Sequence, residues 1–112
     1  MNAPHLTRRL VLEEMERIAD GAGGFVASWV TRGTLWADLR AASGRDATGE
    51  EVVLAAVTSK ITVRGAPQGA ASRPKPGQRF RDGVRAFDIL AVTEADPAGR
   101  YLTCFAREEG PI

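Results

Sequence analysis

Apolar and polar side chains alternate with a period of two over most of the chain after residue 24, and that pattern predicts strands rather than helices. In Phe25–Thr31, Phe25, Ala27 and Trp29 share one face, while Val30 and Thr31 add β-branched residues that favour a pleated surface. Thr34–Arg40 sets Leu35, Ala37 and Leu39 against Trp36, Asp38 and Arg40, with Gly33 between the two runs as a bulge or tight bend. Val52–Arg64 resumes the pattern, its second half opposing Val57, Ser59, Ile61 and Val63 to Thr58, Lys60, Thr62 and Arg64. Arg85–Thr93 follows the turn dipeptide Asp82-Gly83. Asp96-Pro97-Ala98-Gly99 has the residue order of a type I turn and joins that strand to Tyr101–Ala106 as a hairpin.

The first twenty residues read differently. Leu6, Leu10, Met15, Ile18 and Ala19 make a helical stripe, and the Glu and Arg residues from 13 to 17 lean the segment 9–18 toward helix, although Leu10 and Leu12 also alternate as in a strand. Three glycines in Asp20-Gly21-Ala22-Gly23-Gly24 then break the chain. Two longer loops are expected, at 41–51 and at the Pro- and Gly-rich 65–79, where neither a helix nor a central strand is tenable. The expected fold is mainly β: one domain over 1–112, ordered from about residue 8 to about 108, forming a small antiparallel barrel or sandwich of about five to seven strands. Its core would draw on Phe25, Trp29, Leu35, Ile61, Val63, Phe87, Ile89 and Cys104.

Composition narrows the function classes. Cys104 is the single cysteine and His5 the single histidine, so the chain offers neither a disulfide framework nor a zinc quartet. No run approaches the ~18–20 apolar residues of a membrane span. Arg8, Arg9, Glu13, Glu14 and Glu16 deny the N-terminus a hydrophobic signal core. A domain made in the cytoplasm, with no membrane partner and no cofactor, is expected. Catalytic constellations are also absent from the pattern. The glycines at 21–24 lack the Gly-Lys-Ser/Thr of a P-loop, and the pairs Glu13/Glu14, Glu50/Glu51 and Glu108/Glu109 are sequence neighbours, which point to opposite faces of a strand. The reading is therefore not an enzyme. Cys104 reads as a small apolar core residue.

Charge adds one feature. Fifteen basic against fourteen acidic side chains give a net charge of +1, but the signs are segregated. Arg64, Arg73, Lys75, Arg79, Arg81 and Arg85 meet only Asp82 between residues 64 and 85, whereas Asp88, Glu94, Asp96, Glu108 and Glu109 outnumber Arg100 and Arg107 thereafter. Such a basic segment suits an interface between copies, a phosphate-facing patch, or simply a solvated loop. Thirteen of the fifteen basic residues are Arg, as interface chemistry or a GC-rich genome would each produce.

The order of motifs resembles a known family, the head–tail joining (head-completion, stopper-like) proteins of tailed phages, including prophage and gene transfer agent versions. The resemblance rests on Arg9-Leu10-Val11-Leu12-Glu13, Asp20-Gly21-Ala22-Gly23-Gly24-Phe25, Trp29, Gly33-Thr34-Leu35-Trp36-Ala37 and Ser43-Gly44-Arg45. Lys60-Ile61-Thr62-Val63-Arg64, Arg79-Phe80, Phe87-Asp88-Ile89 and the closing Asp96…Tyr101-Leu102-Thr103-Cys104 complete it. Gly65 stands where the family often has an aromatic, and Asp46 where it commonly has Glu. The resemblance implies a β-barrel-like subunit of a homo-oligomeric ring, a hexamer in related stoppers. That ring would lie between a portal or adaptor ring above and a tail terminator or tail-tube protein below, with double-stranded DNA passing through its channel. It also implies a strand, not a helix, at Leu10–Glu13, and a channel-closing loop at 41–51, where Arg45 could touch phosphate and Asp46, Glu50 and Glu51 would repel it. The competing class is a small nucleic-acid-binding β-barrel, supported by the basic segment alone.

Overall fold

The computed structural model describes residues 4–42 and 56–109. Among the described residues six strands run in chain order: β1 (Arg8–Ala19), β2 (Phe25–Ala41), β3 (Ser59–Arg64), β4 (Arg79–Asp82), β5 (Arg85–Glu94) and β6 (Tyr101–Glu108). All neighbours are antiparallel, and the sheet closes in the order β1-β2-β3-β6-β5-β4. Closure leaves the barrel no edge of its own. No α-helix occurs among the described residues.

Inward positions fill the barrel. Leu10 and Leu12 of β1, Ala37 of β2, Ile61 and Val63 of β3, Phe80 of β4, Phe87 and Ile89 of β5, and Leu102, Cys104 and Ala106 of β6 form one buried cluster, with Leu35, Leu39 and Val92 packed against it. Phe80 and Phe87 face each other across the β4–β5 pair. Of the expected core, Ile61, Val63, Phe87, Ile89 and Cys104 are buried there and Leu35 is half-buried. Two expectations fail: Phe25 is 59% exposed and Trp29 lies half-buried outside the barrel.

A bulge explains both errors. Leu12 pairs with Gly33 but Glu13 pairs with Thr31, so Arg32 is an extra residue in β2. The two predicted strands on either side of Gly33 are one continuous strand, and the extra residue reverses which side chains face inward. Leu35 and Ala37 point to the core. Beyond the bulge, the β2 positions sharing their odd-numbered alternation, Phe25, Ala27 and Trp29, lie on the outer side with Glu13 and Met15.

The helical lean at 9–18 is also corrected, because β1 is extended over its full length. Its twelve residues pair with β2 along their whole length, and three of them, Val11 to Glu13, pair with β4 as well. Burying Leu10 and Leu12 in a closed sheet overrides the helix preference of Glu and Arg. The strand expected over 52–64 is shorter in the described part, starting at Ser59, and β4 arises in a stretch whose sequence predicts loop and turn.

Turns follow the sequence chemistry closely. Asp20 Oδ1 accepts hydrogen bonds from the backbone N–H of Ala22 (2.8 Å) and Gly24 (3.1 Å), and Gly21 and Gly23 take positive φ. The Gly99 N–H donates to the Asp96 carbonyl at 3.0 Å, closing the predicted 96–99 turn. β1 and β2 continue beyond the barrel as a two-stranded arm, and the described chain measures 54 × 29 × 27 Å.

Candidate functional site

The joint between barrel and arm holds a constellation of charged side chains contributed by β1, β2 and β4. Glu13 is the last β1 residue paired with β4, opposite Arg79. Both side chains point outward from the barrel, because Leu12 and Phe80 beside them point in. The Arg79 Nε donates to Glu13 Oε1 at 2.7 Å, and these two side chains are only 12% and 9% exposed. The Arg79 guanidinium stacks 3.9 Å from the Trp29 ring centre. Arg81 approaches the other Glu13 oxygen at 3.6 Å, and Glu109 lies 3.7 Å from Arg79.

On the opposite side of the arm's base, Glu14 receives the Gln78 side-chain amide at 2.8 Å, with Arg32 at 3.6 Å and Lys75 at 3.7 Å. The Gln78 hydrogen bond holds the Glu14 carboxyl below its usual range against desolvation, with the Lys75 and Arg32 charges adding to the lowering. Arg32, the bulged residue, also donates to Glu16 at 2.7 Å. Segment 75–79 thus grips both faces of the arm where it leaves the barrel.

These contacts account for most of the basic segment. Lys75, Arg79, Arg81 and Arg85 each have a carboxylate partner, Arg85 a two-pronged one on Glu108 at 2.7 and 3.0 Å. That pair holds the Glu108 carboxyl below, and the Arg85 guanidinium above, their usual values. Arg73 donates to the Ala66 carbonyl at 2.8 Å, and Arg64 lies over the Tyr101 ring at 6.0 Å without an acidic partner among the described residues. Much of the positive charge of 64–85 is therefore spent inside the subunit, which weakens the case for a phosphate-binding patch. Arg79 and Glu13 are 66 positions apart, and no local sequence signal announces such pairs.

Arg45, Asp46, Glu50 and Glu51, the candidate channel loop, lie outside the described residues. The described residues hold no cluster of His, Cys, Asp or Glu suited to a metal. Cys104 is buried among apolar neighbours, and burial pushes its thiol pKa up to about 12, so the reactive thiolate is suppressed.

Past the joint, the arm exposes large apolar side chains. Met15, Ile18, Phe25 and Val26 are all substantially solvent-accessible, with Arg17 laid over the Phe25 ring at 4.5 Å. Trp36, at the other end of β2, is also exposed and borders an open groove of about 650 Å³ lined by Leu6, Leu35, Arg64 and Ser72.

Residues 1–109 match the family model described as phage head completion protein. The chain belongs to that family. A chain of the native gene transfer agent (GTA) particle's virion is 52% identical to this head completion protein, with a TM-score of 0.74, over 96% of this chain and 98% of that one. Protein SF1141 from Shigella flexneri 2a shares the fold at 22% identity, also with a TM-score of 0.74 and with full coverage of both chains. No curated sequence matches the head completion protein.

Proposed function

We propose that this head completion protein is a structural, non-enzymatic component of a phage-like head–tail interface. Copies form a closed ring, a hexamer by analogy with related stoppers, through which double-stranded DNA passes. The ring sits between a portal or adaptor ring and a tail terminator or tail-tube protein, and loop 41–51 gates its channel. The subunit is made in the bacterial cytoplasm and acts in the particle. The observation carrying this reading is the 52% identity, over nearly the whole of both chains, to a gene transfer agent virion chain, together with the family match. Internal neutralisation of the basic segment favours it over a free nucleic-acid-binding barrel.

Electron microscopy of native particles tests the proposal. Density for this chain as a ring at the portal–tail junction is expected, and particles whose junction lacks the chain would overturn it. A salt titration separates the alternative. The isolated chain should bind free duplex DNA barely at any ionic strength, whereas a phosphate binder would bind at low salt and lose affinity steeply as salt rises.

A further inference from the structure

The arm and the groove are separate patches on one subunit, and neither can satisfy the other within the same chain. Phe25 and Trp36 lie eleven residues apart on the extended β2, roughly 35 Å at ~3.3 Å per residue. A two-stranded ribbon is marginal by itself in water and gains stability when a partner covers its apolar face. Here Ile18 and Val26 face each other across the strand pair near the arm's tip, 46% and 51% exposed. Their neighbours on that side, Glu16 and Ser28, are polar. The groove is the chemical complement: Leu6, Leu35 and Trp36 are among the residues that line it, and Arg64 beside them has no carboxylate partner among the described residues. The arm's tip carries Asp20, whose carboxyl is held below its usual range first by the Ala22 and then by the Gly24 backbone N–H groups, so it stays ionised near neutrality.

We infer that the apolar tip of the arm, Ile18 and Val26 flanked by Asp20, seats in the Trp36 groove of a second copy of this chain. The contact joins unlike patches, so it propagates from copy to copy and closes when the rotation between neighbours allows it. The inference rests on the ring reading above and names the contact that builds the ring. It also gives the exposed Trp36 a partner.

Cysteine pairing in assembled particles tests it, because the native Cys104 is buried and its thiol poorly ionised. Val26→Cys on the arm and Ser72→Cys on the groove are substitutions at exposed positions. A chain carrying both should yield, under mild oxidation, a ladder of cross-linked oligomers ending at the ring number. Each single variant should stay monomeric, and particles assembled from a mixture of the two should give dimers only. Adding Ile18→Asp to the doubly substituted chain should abolish the ladder. Dimers from Val26→Cys alone would mean arm-to-arm contact and overturn the inference. So would incorporation of the doubly substituted chain into particles without a ladder, or its cross-linking to a different virion protein. Absence of the wild-type chain from purified particles would instead sink the head–tail reading itself, which separates the two failures.

Discussion

Replacing Arg79 by Met removes one half of a nearly buried ion pair while keeping most of the side-chain volume. Glu13 would keep its carboxylate in a position only 9% exposed, having lost its 2.7 Å donor. Breaking a buried pair in this way costs about 3–5 kcal/mol. Arg81, 3.6 Å from the same carboxylate but itself half-exposed, offsets part of that, so a loss near 3 kcal/mol is expected. Loss of the guanidinium from the Trp29 face adds about 0.5–2 kcal/mol. Glu13→Leu alone should also destabilise, by leaving Arg79 unpaired. The double variant Arg79→Met/Glu13→Leu puts two apolar side chains against Trp29 and should lie within about 1 kcal/mol of wild type, since a buried pair seldom outperforms a well-packed apolar one. Urea unfolding of the four proteins gives the cycle, read from the midpoints at constant slope. Single-variant losses below about 1 kcal/mol with no coupling would refute the reasoning, because that is how an exposed surface bridge behaves.

Other outcomes follow from single positions. Gly65→Ala should destabilise by about 1–3 kcal/mol in the same assay, because a Cβ there would collide with the Gly99 carbonyl oxygen in the turn between β5 and β6; an unchanged midpoint would contradict that packing. Cys104 should resist a thiol reagent at pH 8 in the folded chain and react at once in denaturant, so prompt labelling of native protein would contradict its burial. The Asp20 carboxyl has a folded pKa below its ordinary 3.8, so its contribution to the arm's turn is complete above that value and lost as pH falls through the lower folded one. Amide exchange at Ala22 and Gly24 should accelerate in that acidic window before the barrel amides do, and Asp20→Ala should bring the same acceleration at neutral pH.

Strand-by-strand, legibility tracked how local the controlling physics is. β5, β6 and the turn between them were readable because Asp, Pro and Gly at 96, 97 and 99 fix that turn within four residues. Local propensity leans β1 toward helix while the family resemblance implies the strand at Leu10–Glu13 that the structure has, and burial of Leu10 and Leu12 in a closed sheet is the physical reason. Gly33 marked the bulge correctly, yet the extra residue is Arg32, and counting by twos across it sent Phe25 and Trp29 to the wrong side. β4 was invisible as a strand because four residues carry too little pattern, although Phe80 is among the most buried side chains. At the candidate site the basic segment was found, but not its partners. Glu13, Glu14, Glu108 and Glu109 reach it only through the fold.

Arg32 has a consequence for how the arm can change over time. Because one supernumerary residue sets which way the distal half of β2 is turned, losing it would roll Phe25, Ala27 and Trp29 over to the other side relative to the barrel. A single insertion in β2 beyond the bulge would do the same. Paired insertions of two residues in each strand per step would keep both the cross-strand partners and their faces, and lengthen the arm by about 6.6 Å per step. The arm is thus free to vary in reach but quantised in rotation, and a neighbour that reads its face constrains the count of residues in β2 more tightly than their identities.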